Sequence, residues 1–183
     1  MANLAFNFVG STTEVFTSSL ITKVNPILQA IDSGLSLIDL GCSFYTFNKE
    51  KETTKKLQKI NEELRTEGEK SLEKHKTSKI YELNQKKIIF KKKMDVHKKE
   101  LEMIYEKVKL RASMLEKDFK NQLIIAQEIN QIAIQVIKTL NLVLDRLKRI
   151  NLSFENAENQ LKVEEKWRET AQAIDKVWKD IGV

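Results

Sequence analysis

One proline and five glycines in 183 residues leave very little to turn the chain. Sheet proteins of this size need turn residues at short, regular intervals, so the scarcity points to long helices and almost no strand. Cysteine is as rare. Cys42 is alone and cannot close an intramolecular disulfide. With no base or metal ligand beside it, the thiol reads as a small buried hydrophobe in a protein of a reducing, cytoplasmic compartment. Neither His75 nor His97 has a Cys or acidic neighbour at metal-ligand spacing, and neither has the Glu three residues before it that a di-iron bundle requires. A Gly-rich phosphate loop is missing, and so is a nucleophile with a histidine base. The sequence is therefore read as non-enzymatic, with no catalytic residue, no metal, no cofactor and no small-molecule substrate. Lys23 is the first basic residue and Arg is scarce, which speaks against a signal or transit peptide. No 18-residue run is apolar and charge-free enough to expect a transmembrane helix.

What the chain does hold is Lys, Glu, Leu, Ile, Gln and Asn, the composition of long helices. The net charge of +6 is unevenly divided. Residues 1–48 carry Lys23 against Glu14, Asp32 and Asp39; 49–120 carry 22 basic and 14 acidic groups; 121–183 carry nine of each. The excess positive charge belongs to the middle third.

The longest pattern begins at Ala126. Steps of three and four residues give Ile129, Ala133, Val136, Leu140, Val143, Leu147, Ile150, Phe154, Ala157 and Leu161, the 3.5-residue period of a coiled-coil seam. Ile125, Ile132, Ile137 and Leu144 widen the stripe, so this helix expects cover on more than one side. The spacing continues through Trp167, Ala171, Ile174, Trp178 and Ile181. Upstream, Ile80, Leu83, Phe90, Met94, Leu101, Ile104 and Val108 form a second seam with Lys87 and His97 at two of its positions. It continues, one residue out of phase, as Ala112, Leu115, Phe119 and Gln122. Such a shift marks a discontinuity. A turn at 117–122 would fold 80–116 onto 123–161 as an antiparallel hairpin; without it, most of 78–165 would be a single rod.

Residues 1–47 form an apolar N-terminal helical segment. Leu4, Phe6 and Phe8 alternate as in an extended arm, ended by Gly10. Ser11 to Glu14 reads as a capping box for a short helix that Pro26 should stop near Asn25. A second helix from Pro26 to about 47 presents Ile31, Leu35, Ile38, Cys42 and Tyr45 on one face. Ala30, Gly34 and Gly41 share a strip where another helix could come close. Beyond Asn48 the long charged helices of 48–183 begin, with a joint expected at 66–78 around a sparse seam of Leu57, Ile60, Leu64 and Leu72 interrupted by Gly68. The fold class is all-α: a long-helix coiled-coil hairpin or an elongated helical bundle, one domain overall.

One local electrostatic feature stands out. Lys86, Lys87, Lys91, Lys92, Lys93, Lys98 and Lys99 meet only Asp95. A basic amphipathic surface of this kind suits an acidic protein partner or acidic lipid headgroups. Nucleic acid is the weaker partner, because Lys without Arg offers little base recognition. Two functions follow. The first is a structural or interaction protein that self-assembles, or binds a helical partner, through the seam of Ile129, Val136, Leu140, Val143, Leu147, Ile150, Phe154 and Leu161. The second is a membrane-acting helical protein, pore-forming or membrane-remodelling and peripheral to the bilayer in its resting form. There 1–47 would be the membrane-active segment and the lysine patch would attract acidic lipid.

Overall fold

A computed structural model describes the backbone of residues 3–63, 69–115, 117, 121–150 and 157–181. Side chains are described at 22–62, 73–115, 117, 121–150 and 160–180. The described residues form an all-α bundle of four helices: α1 (Asn3–Glu63), α2 (Glu69–Leu115), α3 (Gln122–Arg149) and α4 (Ala157–Ile181).

α1 corrects the reading of the N-terminal segment. The expected extended arm, capping box and two short helices are one 61-residue helix that carries Pro26 inside it. An interior proline forfeits a backbone hydrogen bond and costs about 3 kcal/mol. Here Pro26 is itself buried, and Val24, Ile27, Ala30 and Ile31 around it are all core residues. Burying several large aliphatic side chains at roughly 1.5–3 kcal/mol each outweighs the lost bond. Tertiary packing thus overrides the local stop signal.

Cross-helix pairs fix the directions. Asp39 meets Lys98 and Glu50 meets Lys87, so α1 and α2 are antiparallel. Arg111 pairs with Glu128, and Gln135 donates to Glu100, so α2 and α3 are antiparallel too. This hairpin excludes the continuous rod. Ser33 and Thr170 share a hydroxyl hydrogen bond of 2.9 Å that ties α1 to antiparallel α4. Gly34 lies against Leu140 and Gly41 against Leu147, which makes α1 and α3 parallel.

α1 and α3 form the short diagonal of this bundle. α1 touches all three other helices, whereas α2 and α4 do not meet among the described residues. The glycines explain the diagonal. A Cβ at Gly34 would collide with Leu140 Cδ2, and one at Gly41 with Leu147 Cδ2. Only hydrogen at both positions lets the two backbones approach with those leucines between them.

The same pairs locate the ends of the bundle. Ile150 of the parallel α3 comes level with Phe44, and Ala157 of the antiparallel α4 comes level with Thr46. Beyond that level, among the described residues, α1 is accompanied by α2 alone. Residues 46–63 and 69–89 therefore make a two-helix arm about 25 Å long at 1.5 Å per residue. The arm's break falls between Glu63 and Glu69; the part of the expected joint from 69 to 78 is helix, and 64–68 with Gly68 lie outside the described residues. At the other end α2 stops at Leu115 and α3 starts at Gln122. There the buried Gln122 side chain donates to the Leu115 carbonyl at 3.3 Å, satisfying one of the acceptors that a helix end leaves open.

Candidate interaction surface

The residues of the long seam are divided by the fold. Ile129, Val136, Leu140, Val143 and Leu147 are buried in the core of this single chain, and Ile150 packs against it. Leu161 is 63% exposed, and Phe154 lies outside the described residues. The facing positions of α1 supply the cover: Ile31 and Ile38 are fully enclosed, and Leu35 and Cys42 are partly so. Tyr45 closes this face at the base of the arm, its ring 4.2 Å from that of Phe90. Trp178 packs on the core, whereas Trp167 stays on its rim.

Burial shifts both Cys42 and His97 away from their ordinary titration ranges. Burial, reinforced by Asp95 and Asp39, pushes the Cys42 thiol up to about 11, so it stays protonated at neutral pH. His97 is buried in the seam, and neither ring nitrogen has a hydrogen-bond partner. Burial, with Arg146 adding repulsion, holds its pKa below the ordinary imidazole value, against a weaker pull from Glu100. Among the described residues no group of three His, Cys, Asp or Glu side chains gathers as metal ligands would. Cys42 lines a shallow depression of about 400 Å³ with Ser43, Thr46, Phe47, Glu50 and Lys91. The depression is an open seam between α1 and α2.

The lysine patch also separates into two sets. Lys86 pairs with Glu82, Lys87 with Glu50 and Lys98 with Asp39. These three brace α2 or fasten it to α1. Lys91, Lys92, Lys93 and Lys99 are exposed and make no ion pair within the described chain. The sequence placed all seven together; the Lys86–Glu82 pair follows from i,i+4 spacing, and cross-helix geometry is what sets Lys87 and Lys98 apart from those still free.

A second apolar stripe was missed by reasoning from the sequence. Ile89, Val96, Met103 and Leu110 recur at every seventh residue, are each about half exposed or more, and fall within about 60° of one another on α2. With Ile88 and Tyr81 they mark the side turned away from the buried Met94, Leu101, Ile104 and Val108. Leu142 of α3 is exposed at the level of Val96, and Ile124 is exposed at the level of Met114, as the Arg111–Glu128 and Glu100–Gln135 pairs require. The heptad spacing was available in the sequence. The core-facing seam of the same helix masked it, because one apolar face was enough to explain a helix.

Comparison with protein-family models, with curated proteins and with solved structures finds no match for this chain.

Proposed function

We propose that this is a non-enzymatic helical interaction protein. Its bundle closes upon its own seam, and its outer helix faces bind a protein, either another copy or a heterologous helical partner. The observation that carries the reading is the exposed apolar surface of α2 and α3, with Val96, Met103, Leu110, Leu123, Ile124 and Leu142 all half exposed or more. Large apolar side chains set in rows on a bundle that has already filled its core are the mark of a surface awaiting cover. The protonated Cys42 and enclosed His97 fit a chain without catalytic work.

Absolute mass by light scattering coupled to gel filtration tests this over a wide range of concentration. A mass that rises from 21.3 kDa to a discrete multiple supports assembly between copies. A constant 21.3 kDa with binding of helical peptides supports a heterologous partner. Neither, together with release of dye from anionic liposomes, overturns the reading.

The membrane-acting alternative has one observation in its favour. Within Thr22–Glu62, α1 holds a window apolar and long enough to cross a bilayer, with 39% of that window buried. From Asn25 to Ser43 its exposed positions are Asn25, Gln29, Asp32, Ser36, Asp39 and Ser43, a polar stripe at helical spacing. A helix that presents amides, hydroxyls and two carboxylates outward while packing its apolar side inward suits a bundle face better than hydrocarbon.

A further inference from the structure

We propose that the outward face of α2, from Ile88 to Leu110, is a docking site for an acidic amphipathic helix of another protein. The inference rests on the reading of the chain as an interaction protein and names the chemistry of the partner. Spacing argues for a helix. Ile89, Val96, Met103 and Leu110 stand one heptad apart on a side of α2 left uncovered by the described residues, and a repeat of seven keeps register only with another helix wound alongside. A flat bilayer imposes no such period.

Charge argues for an acidic partner. Lys92 and Lys99 lie along the stripe, and Lys93 flanks it; all three are exposed and unpaired within the described chain. Asp95 is the only acid between Ile88 and Lys99, and it lies near enough to α1 to raise the Cys42 thiol; from Glu100 to Leu110, Glu100, Glu102 and Glu106 stand with Lys107 and Lys109, so the positive excess lies in the first half of the site. The outward face of that half is therefore cationic. A parallel pairing with a second copy of the same face would bring Lys92, Lys93 and Lys99 each against itself, and like charges across a helix interface disfavour it; an antiparallel pairing centred on Lys99 repels at Lys99 but sets Lys92 against Glu106.

The test uses the full chain and a labelled synthetic helix of about four heptads, with Leu at its seam and Glu at the flanking positions. A second peptide carries Lys in place of every Glu. Fluorescence anisotropy should show the acidic peptide binding at least tenfold tighter than the basic one, with affinity falling as salt rises. Val96→Asp with Met103→Asp should weaken it by at least tenfold. Both residues are exposed, so an unchanged circular dichroism spectrum and melting curve verify that the variant is folded. Lys92→Glu, Lys93→Glu and Lys99→Glu together should reverse the preference to the basic peptide.

Equal binding of both peptides, or acidic-peptide binding untouched by Val96→Asp and Met103→Asp, overturns the docking site while leaving an interaction protein. Concentration-dependent dimers that the same pair of substitutions abolishes would assign the stripe to a second copy. Binding of vesicles of phosphatidylglycerol and phosphatidylcholine, lost in that variant while the acidic peptide fails to bind, would assign it to lipid. Either result overturns the proposal.

Discussion

The four-helix region and the two-helix arm are built from the same pair of helices, and they are held in different ways. Between Val24 and Tyr45, α1 has neighbours on three sides, and its buried positions are Val, Pro, Ile, Leu, Ala and Gly. From Thr46 to Glu62, α1 has α2 alone among the described residues, and not one of its side chains is fully enclosed. Charge takes the place of volume there. Glu52 accepts from Lys49 and Lys56, which hold its carboxyl down to about 2, and Glu82 is held at a similar value by Lys79 and Lys86. Each of these four pairs lies within one helix. They favour helical backbone locally, but exposed pairs of this kind contribute little to holding α1 against α2. Cohesion is thus concentrated in the bundle.

The largest expected effect tests that concentration directly. Leu140→Ala should cost about 2–5 kcal/mol in urea denaturation, because its side chain is fully enclosed against α1. Ile60→Ala in the arm should cost less than about 1.5 kcal/mol, since the side chain is only partly enclosed and its loss leaves no sealed cavity. Equal losses would mean that the arm is covered by something beyond α2.

A smaller effect should come from the diagonal. Gly34→Ala forces Leu140 out of its place and should cost about 1–3 kcal/mol, offset by up to about 1 kcal/mol from the better helix propensity of Ala. In the Leu140→Ala background the collision is gone. There Gly34→Ala should be neutral or stabilising, and a double-mutant cycle by denaturation would read the difference as coupling. Additive losses would place the close approach elsewhere.

His97 offers a pH-dependent comparison. Burial depresses its folded pKa, so the neutral ring is the form the bundle accepts. The folded state binds fewer protons than the unfolded one. The stability it contributes is complete above the unfolded value of about 6.5 and is lost as pH falls toward the depressed folded value. Melting temperature should therefore drop between pH 7 and 5, and His97→Leu should flatten that slope. A slope that survives the substitution would have to come from another group.

These comparisons also show what could be read from sequence. The helices, the side of α3 that is buried and the Ala30–Gly34–Gly41 strip all follow from period and residue size, which are local properties. The α1 continuity does not. Pro26 is a stop signal to any local rule, and only the burial around it, in a core shared with α2, α3 and α4, reverses the outcome. The lysine patch shows the same limit, because Asp39 and Glu50 are remote in sequence from the lysines they neutralise. The stripe from Ile89 to Leu110 was visible as spacing, but a helix with two apolar faces cannot say which face its own chain will cover.

The smallest effect, and the finest test of the contrast, is at Lys87. It occupies a seam position of the arm, its side chain mostly covered, with its ammonium 3.3 Å from Glu50. Glu50 is well exposed, so the pair is solvent-screened and Glu50→Gln should cost only about 0.2–1 kcal/mol, less at high salt. Lys87→Leu asks the sharper question. It exchanges a weak charge pair for the apolar cover that the bundle uses everywhere else, a replacement that is commonly neutral or stabilising where an ion pair is partly buried. Amide exchange should slow through 46–60 while the midpoint of global unfolding hardly moves, because the bundle sets that midpoint. If exchange in the arm instead quickened, Lys87 would be holding α1 and α2 in register through Glu50, and charge would supply more of the arm's cohesion than its exposure implies.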